Sequence, residues 1–351
     1  MRALVTGCAG FIGSHLTEAL LDGGHSVVGI DCFNDNYGRD QKLTNLRHVR
    51  EWTSFEFVPV DLSRGDLVEF VDSADVIFHL AAEPGVRSSW GTRYGRYVQN
   101  NIIATHHILE ASRAKPGVRV VFASSSSVYG DAGSTPSSEE SPTRPISPYG
   151  QTKLGAEQLC VLHRDEFDMD IVCLRYFTVF GPRQRPDMAF HRFLRAALHD
   201  EPITVFGDGE QTRDFTYVED IVAATLAAGL EPVIPAEVLN IGGGAPTSLR
   251  SVLDIVEELA GRPLEVRYTP RERGDVRDTA ADTSRARRLL GFAPKTSLVD
   301  GLEAEFDWMK ASISSMARSS STSVSRRISS SRRRDESGVR DTNETEVILS
   351  S

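Results

Sequence analysis

Tyr149 and Lys153 stand four residues apart in the segment SPYGQTK. On a helix that spacing puts both side chains on one face. Ser147 is placed to cap such a helix and Pro148 to occupy its first turn. An ionised phenol is a strong base, but a free tyrosine titrates near ~10. Work near neutral pH therefore means closing a gap of ~3 units, about 4 kcal/mol in favour of the phenolate. A cationic Lys153 and the positive end of the helix both act in that direction. An ordinary exposed Tyr–Lys pair has the same spacing, so its meaning depends on what precedes it. Upstream, Ser124, Ser125, Ser126 and Ser127 run into Val128-Tyr129-Gly130. Hydroxyls at the carboxyl end of a strand sit where open α/β sheets bind their ligands. Four of them before an apolar VYG point to binding more than to a Ser-rich loop.

Further upstream, Gly7, Gly10 and Gly13 lie between an apolar run and a helical pattern. Glycines there let the chain turn tightly, approach a pyrophosphate and pack helix on strand. The helix N-terminus then offers N–H groups to phosphate oxygens. Three spaced glycines alone are weak evidence, but strand, helix and a following acid supply the expected context. The acid is Asp31. Its carboxylate can accept both hydroxyls of an adenosine ribose and repels a 2′-phosphate, which favours NAD over NADP. The positive nicotinamide ring then joins Lys153 in favouring the phenolate. Asp61 is either a partner of the adenine amino group or a strand-end turn residue.

The elements that must position these residues alternate. Strands are expected at 3–6, 26–31, 55–62, 75–82, 119–124 and 170–177, with helices at 11–24, 92–115 and 148–166 between them. Continuous apolar strands separated by helices imply a parallel sheet covered on both faces. The expected fold is therefore α/β: a doubly wound parallel sheet of Rossmann type with a smaller mixed α/β substrate-binding lobe. The expected division is 1–178 for the NAD-binding domain, with a return segment near 217–240, and 179–310 mainly for the lobe. A strand at 238–242 and helices at 248–262 and 298–310 complete it. Residues 311–351 are Ser- and Arg-rich and nearly free of aromatics, so they read as a disordered tail.

Composition bounds the rest. The 351 residues carry a net charge of -10, which argues against a nucleic-acid partner. The tail holds seven Arg against five acids, +2, leaving -12 for the remainder. Four isolated cysteines without metal-ligand spacing suggest a reducing, cytoplasmic setting and no metal. No run reaches the ~18 apolar residues of a membrane span. The opening MRALVTGCAGFIG reads as a strand and turn, not as a signal peptide.

GCAGFIGSHL, SSSSVYG, YGQTK, NNIIAT and RDFTYVEDI together resemble the extended short-chain dehydrogenase/reductases, the NAD-dependent sugar epimerases and dehydratases. The resemblance covers residues 1 to about 310. Within that family, RYFTVFGPRQRPDMA (175–189) and HLAAEPGVRSSW (79–90) are most similar to UDP-glucuronate 4-epimerases. The resemblance implies a 4-epimerisation of a UDP-sugar through a 4-keto intermediate, with NAD regenerated each turnover. It implies Ser125, Tyr149 and Lys153 as the catalytic set. For the cofactor it implies Gly7, Gly10, Phe11, Ile12, Gly13, Asp31, Asn34, Asp61, Leu62, Leu80, Ala81, Ala82, Asn101 and Phe177, beside Tyr149 and Lys153. For the UDP-sugar it implies Arg87, Ser125, Ser126, Ser127, Tyr149, Thr178, Arg185, Arg213, Arg271 and Asp275, with Arg213 at the diphosphate. It also implies a homodimer paired through the helices at 92–115 and 148–166.

The chain departs from its relatives in informative places. Thr178 stands where UDP-galactose epimerases carry Asn. Ser127 stands where decarboxylases and 4,6-dehydratases carry an acid, and Ser126 where the dehydratases have Asp. The family's Arg three residues before Asp275 is here Glu272, and Arg271 and Arg273 are both candidates to replace it. A glucuronate ring oxidised at C4 is a β-keto acid that loses CO2 readily. An epimerase must hold its carboxylate in the unreactive orientation, a task for Ser126, Ser127, Thr178 and Arg185 or Arg87. Three rivals follow: a UDP-glucuronate decarboxylase, an epimerase of UDP-glucose or UDP-N-acetylglucosamine, and a non-catalytic NAD-sensing protein on the same fold.

Overall fold

The computed structural model describes residues 1–35, 37–131, 136–231, 234 and 238–314. Met1–Phe306 form one compact unit, and a second begins at Asp307. Residues 311–314, expected to open the disordered tail, are helical, and 315–351 lie outside the described residues.

Twelve strands are described: β1 (Arg2–Thr6), β2 (Ser26–Ile30), β3 (Phe55–Val58), β4 (Val76–His79), β5 (Arg119–Ser125), β6 (Ile171–Tyr176), β7 (Thr178–Phe180), β8 (Ile203–Phe206), β9 (Thr212–Tyr217), β10 (Val238–Ile241), β11 (Pro246–Ser248) and β12 (Val266–Thr269). Seven form the main sheet in the order β10-β6-β5-β4-β1-β2-β3. Every pairing in it is parallel. The order reverses beside β1, so the loops after β1 and β4 diverge and leave a crevice at the strands' carboxyl ends.

The sheet is buried because its strands are apolar on both faces: β1, β4, β5 and β6 are almost wholly enclosed. On one face Leu4, Ile77, Val120 and Phe122 share a core with Ile108 and Leu109 of the Ala104–Arg113 helix and with Ala156 and Cys160 of the Pro148–Phe167 helix. The Phe11–Asp22 and Val218–Leu230 helices pack together elsewhere in the unit. A mixed three-stranded sheet, β11-β9-β7, and a parallel pair, β12-β8, make up the smaller part.

Three expected elements are corrected. Strands expected to reach residues 62 and 82 stop at Val58 and His79. Leu80, Ala81 and Ala82 thus leave the ladder and turn their backbone to the crevice. The helix expected over 92–115 is broken: a Tyr94–Tyr97 turn, a π-helical stretch Val98–Ile103 and then Ala104–Arg113. A π segment adds a residue to the turn and re-aims the side chains around it.

Candidate active site

The glycine turn is steric necessity. Gly7 has φ +73°, and a Cβ there would lie 2.9 Å from the backbone nitrogen of Ala81. A Cβ on Gly13 would lie 2.1 Å from the Gly7 carbonyl oxygen. The Phe11–Asp22 helix begins at Gly10 with no side chain capping it, so its N-terminal N–H groups face the crevice as an anion site. This turn opens a cavity of about 200 Å³.

Gly7, Gly10, Phe11, Ile12, Gly13, Asp31, Asn34, Asp61, Leu62, Leu80, Ala81, Ala82, Tyr149, Lys153 and Arg185 all line that cavity. The glycine turn, the acid at the end of β2 and the apolar wall of Leu80–Ala82 together fit a dinucleotide. Sequence reasoning missed Cys32, Tyr37, Lys42 and Asn100, which also line it. Lys42 is the consequential one. It sits on a short helix, Arg39–Asn45, whose sequence carries no apolar period. Its Nζ donates to Asp31 Oδ1 at 3.1 Å and to Asn34 Oδ1 at 2.9 Å. Asp31, the acid expected to meet the ribose, is therefore half of a buried ion pair.

Asn101 and Phe177 do not line the cavity. Phe177 packs on Tyr129, with ring centroids 6.3 Å apart, in a small core with Val128 and Leu154. Asn101, aimed inward from the π stretch, is fully engaged by the protein. Its Oδ1 accepts from Glu83 N at 2.7 Å, and its Nδ2 donates to Glu83 O at 3.1 Å and Thr152 Oγ1 at 2.9 Å. It braces the loop after β4 against the Pro148–Phe167 helix.

Asn101 closes a longer chain. Ala81 N donates to Thr6 Oγ1 at 3.2 Å, which leaves the Thr6 hydroxyl hydrogen for His79 Nδ1 at 2.7 Å. His79 Nε2 then donates to Thr105 Oγ1 at 3.0 Å, and Thr105 donates to Asn101 O at 2.6 Å. From Asn101 the path continues through Thr152 Oγ1 to Tyr149 O at 2.9 Å. The loop after β4 and the Pro148–Phe167 helix are thus tied by buried hydrogen bonds. His79 stays neutral, its pKa lowered to about 3 by burial and then by the nearby charge of Lys153.

Ser147 caps the catalytic helix as expected, its Oγ accepting from Gly150 N at 3.1 Å, with Pro148 in the first turn. Tyr149 and Lys153 are both buried in the sense that matters for charge. Burial raises the Tyr149 pKa above its ordinary value, opposed by a hydrogen bond with Ser125 and by the Arg185 charge. Burial lowers Lys153 to about 8, opposed by Cys160 and Glu157. Lys153 Nζ also lies 4.4 Å from the Phe122 ring centre. Tyr149 thus has a hydroxyl partner in Ser125 and a nearby cation in Arg185, both acting against the effect of burial.

Beneath it, Ser124 donates to Glu157 Oε2 at 2.5 Å, and Glu157 pairs with Arg175 at 2.6 Å. Arg175 reaches Tyr129 OH at 2.7 Å, which donates to Asn240 Oδ1 at 2.7 Å. This buried network locks the end of β5 against β6 and β10. Ser125 Oγ accepts from Ser127 N at 3.2 Å, opening the short turn Ser126–Val128.

The other substrate candidates lie apart from the lined cavity. Thr178 opens β7, in register with Phe215 of β9. Arg87 pairs with Asp275 at 2.8 Å and covers the Phe206 ring at 4.2 Å, with Arg192 5.8 Å from the same ring. Phe206 and Arg192 carried no sequence motif. Arg213 donates to three carbonyls, Thr212 O at 2.8 Å, Val276 O at 2.7 Å and Arg277 O at 3.0 Å. Arg271 bonds Asp275 O and lies 3.9 Å from Asp131. Arg213 also feels the charges of Asp275, Arg271 and Arg87, so the group forms one polar neighbourhood.

Comparison with known proteins agrees with this architecture. The model of the NAD dependent epimerase/dehydratase family matches residues 3–242, and the chain belongs to that family. It is similar to the crystal structure of UDP-glucuronic acid 4-epimerase from Bacillus cereus in complex with UDP-glucuronic acid and NAD. That match has 45% identity and a TM-score of 0.86, covering 89% of this chain and 99% of the other. A UDP-glucuronate 4-epimerase of Thermodesulfobacterium geofontis is 38% identical, over 88% of this chain and 96% of its own. An uncharacterised UDP-glucose epimerase of Bacillus subtilis is 45% identical, over 89% and 98%.

Proposed function

We propose that this protein is an NAD-dependent nucleotide-sugar epimerase that interconverts UDP-glucuronate and UDP-galacturonate. One observation carries the choice of an acidic sugar: Arg185 lines the same cavity as Tyr149 and Lys153. A carboxylate-binding cation therefore stands beside the base. The Bacillus cereus structure, in complex with UDP-glucuronic acid and NAD, supports the same reading.

NAD, held by the glycine turn, Asp31 and the Leu80–Ala82 wall, supplies when bound a reversible hydride acceptor, which makes a 4-keto sugar accessible from the C4 alcohol. Tyr149 takes the proton of the C4 hydroxyl and gives it back after the sugar has turned. Ser125 hydrogen-bonds Tyr149 and places the same oxygen. Lys153 holds positive charge beside the phenolate. Ser126, Ser127, Thr178 and Arg185 hold the carboxylate so that its C–C bond stays out of line with the C4 carbonyl. Arg87, Arg213, Arg271 and Asp275 form the neighbourhood that takes the UDP diphosphate, an arrangement suited to arginine forks.

Residues 1–178 with the 217–240 return serve as the nucleotide domain, and 179–310 mainly as the substrate lobe. The protein works in the cytoplasm, where its four unpaired cysteines suit a reducing environment. No helix among the described residues is long and apolar enough to cross a membrane. It pairs as a homodimer through the helices at 92–115 and 148–166, where Leu162 remains exposed, as does Phe167 just beyond. Light scattering that gave a monomer mass would remove that part.

The test is incubation of purified protein with UDP-glucuronate and NAD, followed by product separation and a CO2 assay. UDP-galacturonate without CO2 is expected. UDP-xylose with CO2 would establish a decarboxylase instead, and turnover of UDP-glucose alone would establish a neutral-sugar epimerase.

A further inference from the structure

Three side chains that the sequence left unconnected meet outside the active site. His106 and Glu110 stand one turn apart on the Ala104–Arg113 helix, and His163 stands on the Pro148–Phe167 helix. One ligand atom from each lies within 4.8 Å of the others. Isolated in sequence, they showed no metal spacing, because two antiparallel or crossing helices bring distant residues together without any local pattern.

His163 is oriented by its own helix. Its Nδ1 lies 2.8 Å from the Leu159 carbonyl oxygen, so the ring proton belongs on Nδ1. That leaves the lone pair of Nε2 facing Glu110 Oε1 at 3.0 Å. Two acceptors at this distance need a positive species between them, either a second ring proton or a metal cation. Glu110 Oε2 is held by Arg113 at 2.8 Å, and Arg113 is drawn over the Phe167 ring at 4.8 Å. Oε1 therefore remains for the shared position. His106 stacks edge-on against His163, with ring centroids 6.0 Å apart, supplying a third donor. The neighbouring His107 is directed elsewhere, its Nδ1 2.9 Å from Leu62 O.

We propose that His106, Glu110 and His163 form a binding site for one divalent transition-metal ion of the zinc class, clasping the Ala104–Arg113 helix to the helix that carries Tyr149 and Lys153. Two imidazoles and one carboxylate are a borderline donor set that suits zinc, cobalt(II) or nickel(II) rather than magnesium or calcium. Ligand atoms around tetrahedral zinc lie about 3.4 Å apart, given bonds of about 2.1 Å. The present separations bracket that value, from 3.0 Å between His163 Nε2 and Glu110 Oε1 to at most 4.8 Å within the set, so small side-chain rotations bring the three atoms to it. Water fills the fourth position. The site is independent of the nucleotide-sugar reading and survives its failure.

The full-length chain, stripped with chelator and exchanged into metal-free buffer, is titrated with Co2+ and then Zn2+. One Co2+ per chain with a visible d–d band of four-coordinate type is expected, and Zn2+ displaces it. His106→Gln, on the outer side of the cluster, and Glu110→Gln each weaken Zn2+ binding by about tenfold or more. Zn2+ raises the melting temperature of the parent and leaves His106→Gln unmoved. NAD content and sugar turnover of His106→Gln stay at parent level, which distinguishes loss of the site from misfolding. A parent that binds no Co2+ in this coordination overturns the proposal and leaves His163 and Glu110 as a protonated ion pair. Equal Zn2+ affinity in parent and His106→Gln overturns it equally.

Discussion

Arg185 grips Asp187 with a two-pronged pair, Nε to Oδ1 at 3.0 Å and Nη2 to Oδ2 at 2.9 Å. The guanidinium that lines the cavity beside Tyr149 thus already holds a carboxylate, one supplied by the chain itself. A sugar carboxylate that seeks the same fork must displace it. Asp187 is more than half exposed, at 56%, so releasing it costs only about 1 kcal/mol. Asp187→Asn removes the competitor. KM for UDP-glucuronate is expected to fall roughly fivefold with kcat little changed, since 1.4 kcal/mol is about tenfold. KM for a neutral UDP-sugar stays where it was. An unchanged or raised KM for the acidic sugar means Asp187 positions Arg185 instead of competing for it.

Thr178 tests the proposed restraint on the carboxylate. It opens β7 half-buried, directly after the Tyr176 that ends β6 and the core residue Phe177. Its hydroxyl is a donor that a β-keto acid carboxylate can use to stay out of alignment with the carbonyl. Thr178→Ala keeps the strand and removes the donor. The ratio of CO2 to epimer is expected to rise several-fold while total turnover falls modestly, read by parallel gas and product assays. Intact turnover with an unchanged ratio would remove Thr178 from the restraint.

Asp31 and Lys42 form an ion pair in the cavity wall at the position expected to meet the adenosine ribose. Both side chains are only 6% exposed. Asp31→Ser leaves Lys42 without its acid, and an uncompensated buried cation destabilises a fold by about 3–5 kcal/mol. A 2′-phosphate is a natural replacement for the lost charge. The variant is expected to bind NAD about tenfold more weakly, from loss of a charged hydrogen bond worth roughly 1.5–3 kcal/mol. It should melt at a higher temperature with NADP than with NAD. Fluorescence titration and melting with each nucleotide check this. A variant that still prefers NAD would place Lys42 away from the ribose 2′ position.

The fold and the cofactor half of the site were legible because steric demands repeat locally. Only glycine fits at Gly7 and Gly13, and Ser147-Pro148 starts a helix by local rules that need no tertiary context. Tyr149 and Lys153 follow from helical spacing read together with the glycine turn and the fifth strand before them. What stayed hidden depends on chain segments far apart. Lys42 reaches Asp31 from a helix with no apolar pattern. Asn101, expected to brace the fourth-strand side of the cofactor site, does so through Glu83 and Thr152, partners that the sequence does not reveal. Phe177 sits one residue past β6 and faces the core with Tyr129. Arg213, expected at a diphosphate, presently satisfies carbonyls of residues 276 and 277, more than sixty positions away. None of these pairings leaves a period or a motif in the sequence.

Glu305 makes stability depend on pH in a direction opposite to most carboxylates. Its Oε2 accepts from Gly181 N at 2.9 Å, at the start of the loop that carries Arg185, while its Oε1 is buried without a hydrogen-bond partner among the described residues. Burial raises its pKa to about 8, only partly opposed by the Gly181 N–H. In the unfolded chain the group titrates near ~4.3. Between those values the folded state holds a proton that the unfolded state has lost, so folding takes one up and stability falls as pH rises. The contribution is complete below about 4.3 and is gone once pH passes 8. Glu305→Gln keeps an acceptor for Gly181 N and cannot ionise. Its melting temperature is expected to match the parent at about pH 4 and exceed it by several degrees at pH 8.5, with the parent's slope between pH 6 and 8 largely abolished. Parallel melting curves across that range decide the matter. Equal slopes in the two proteins would mean that Glu305 ionises in place, and that the buried Oε1 finds water or a cation as its partner.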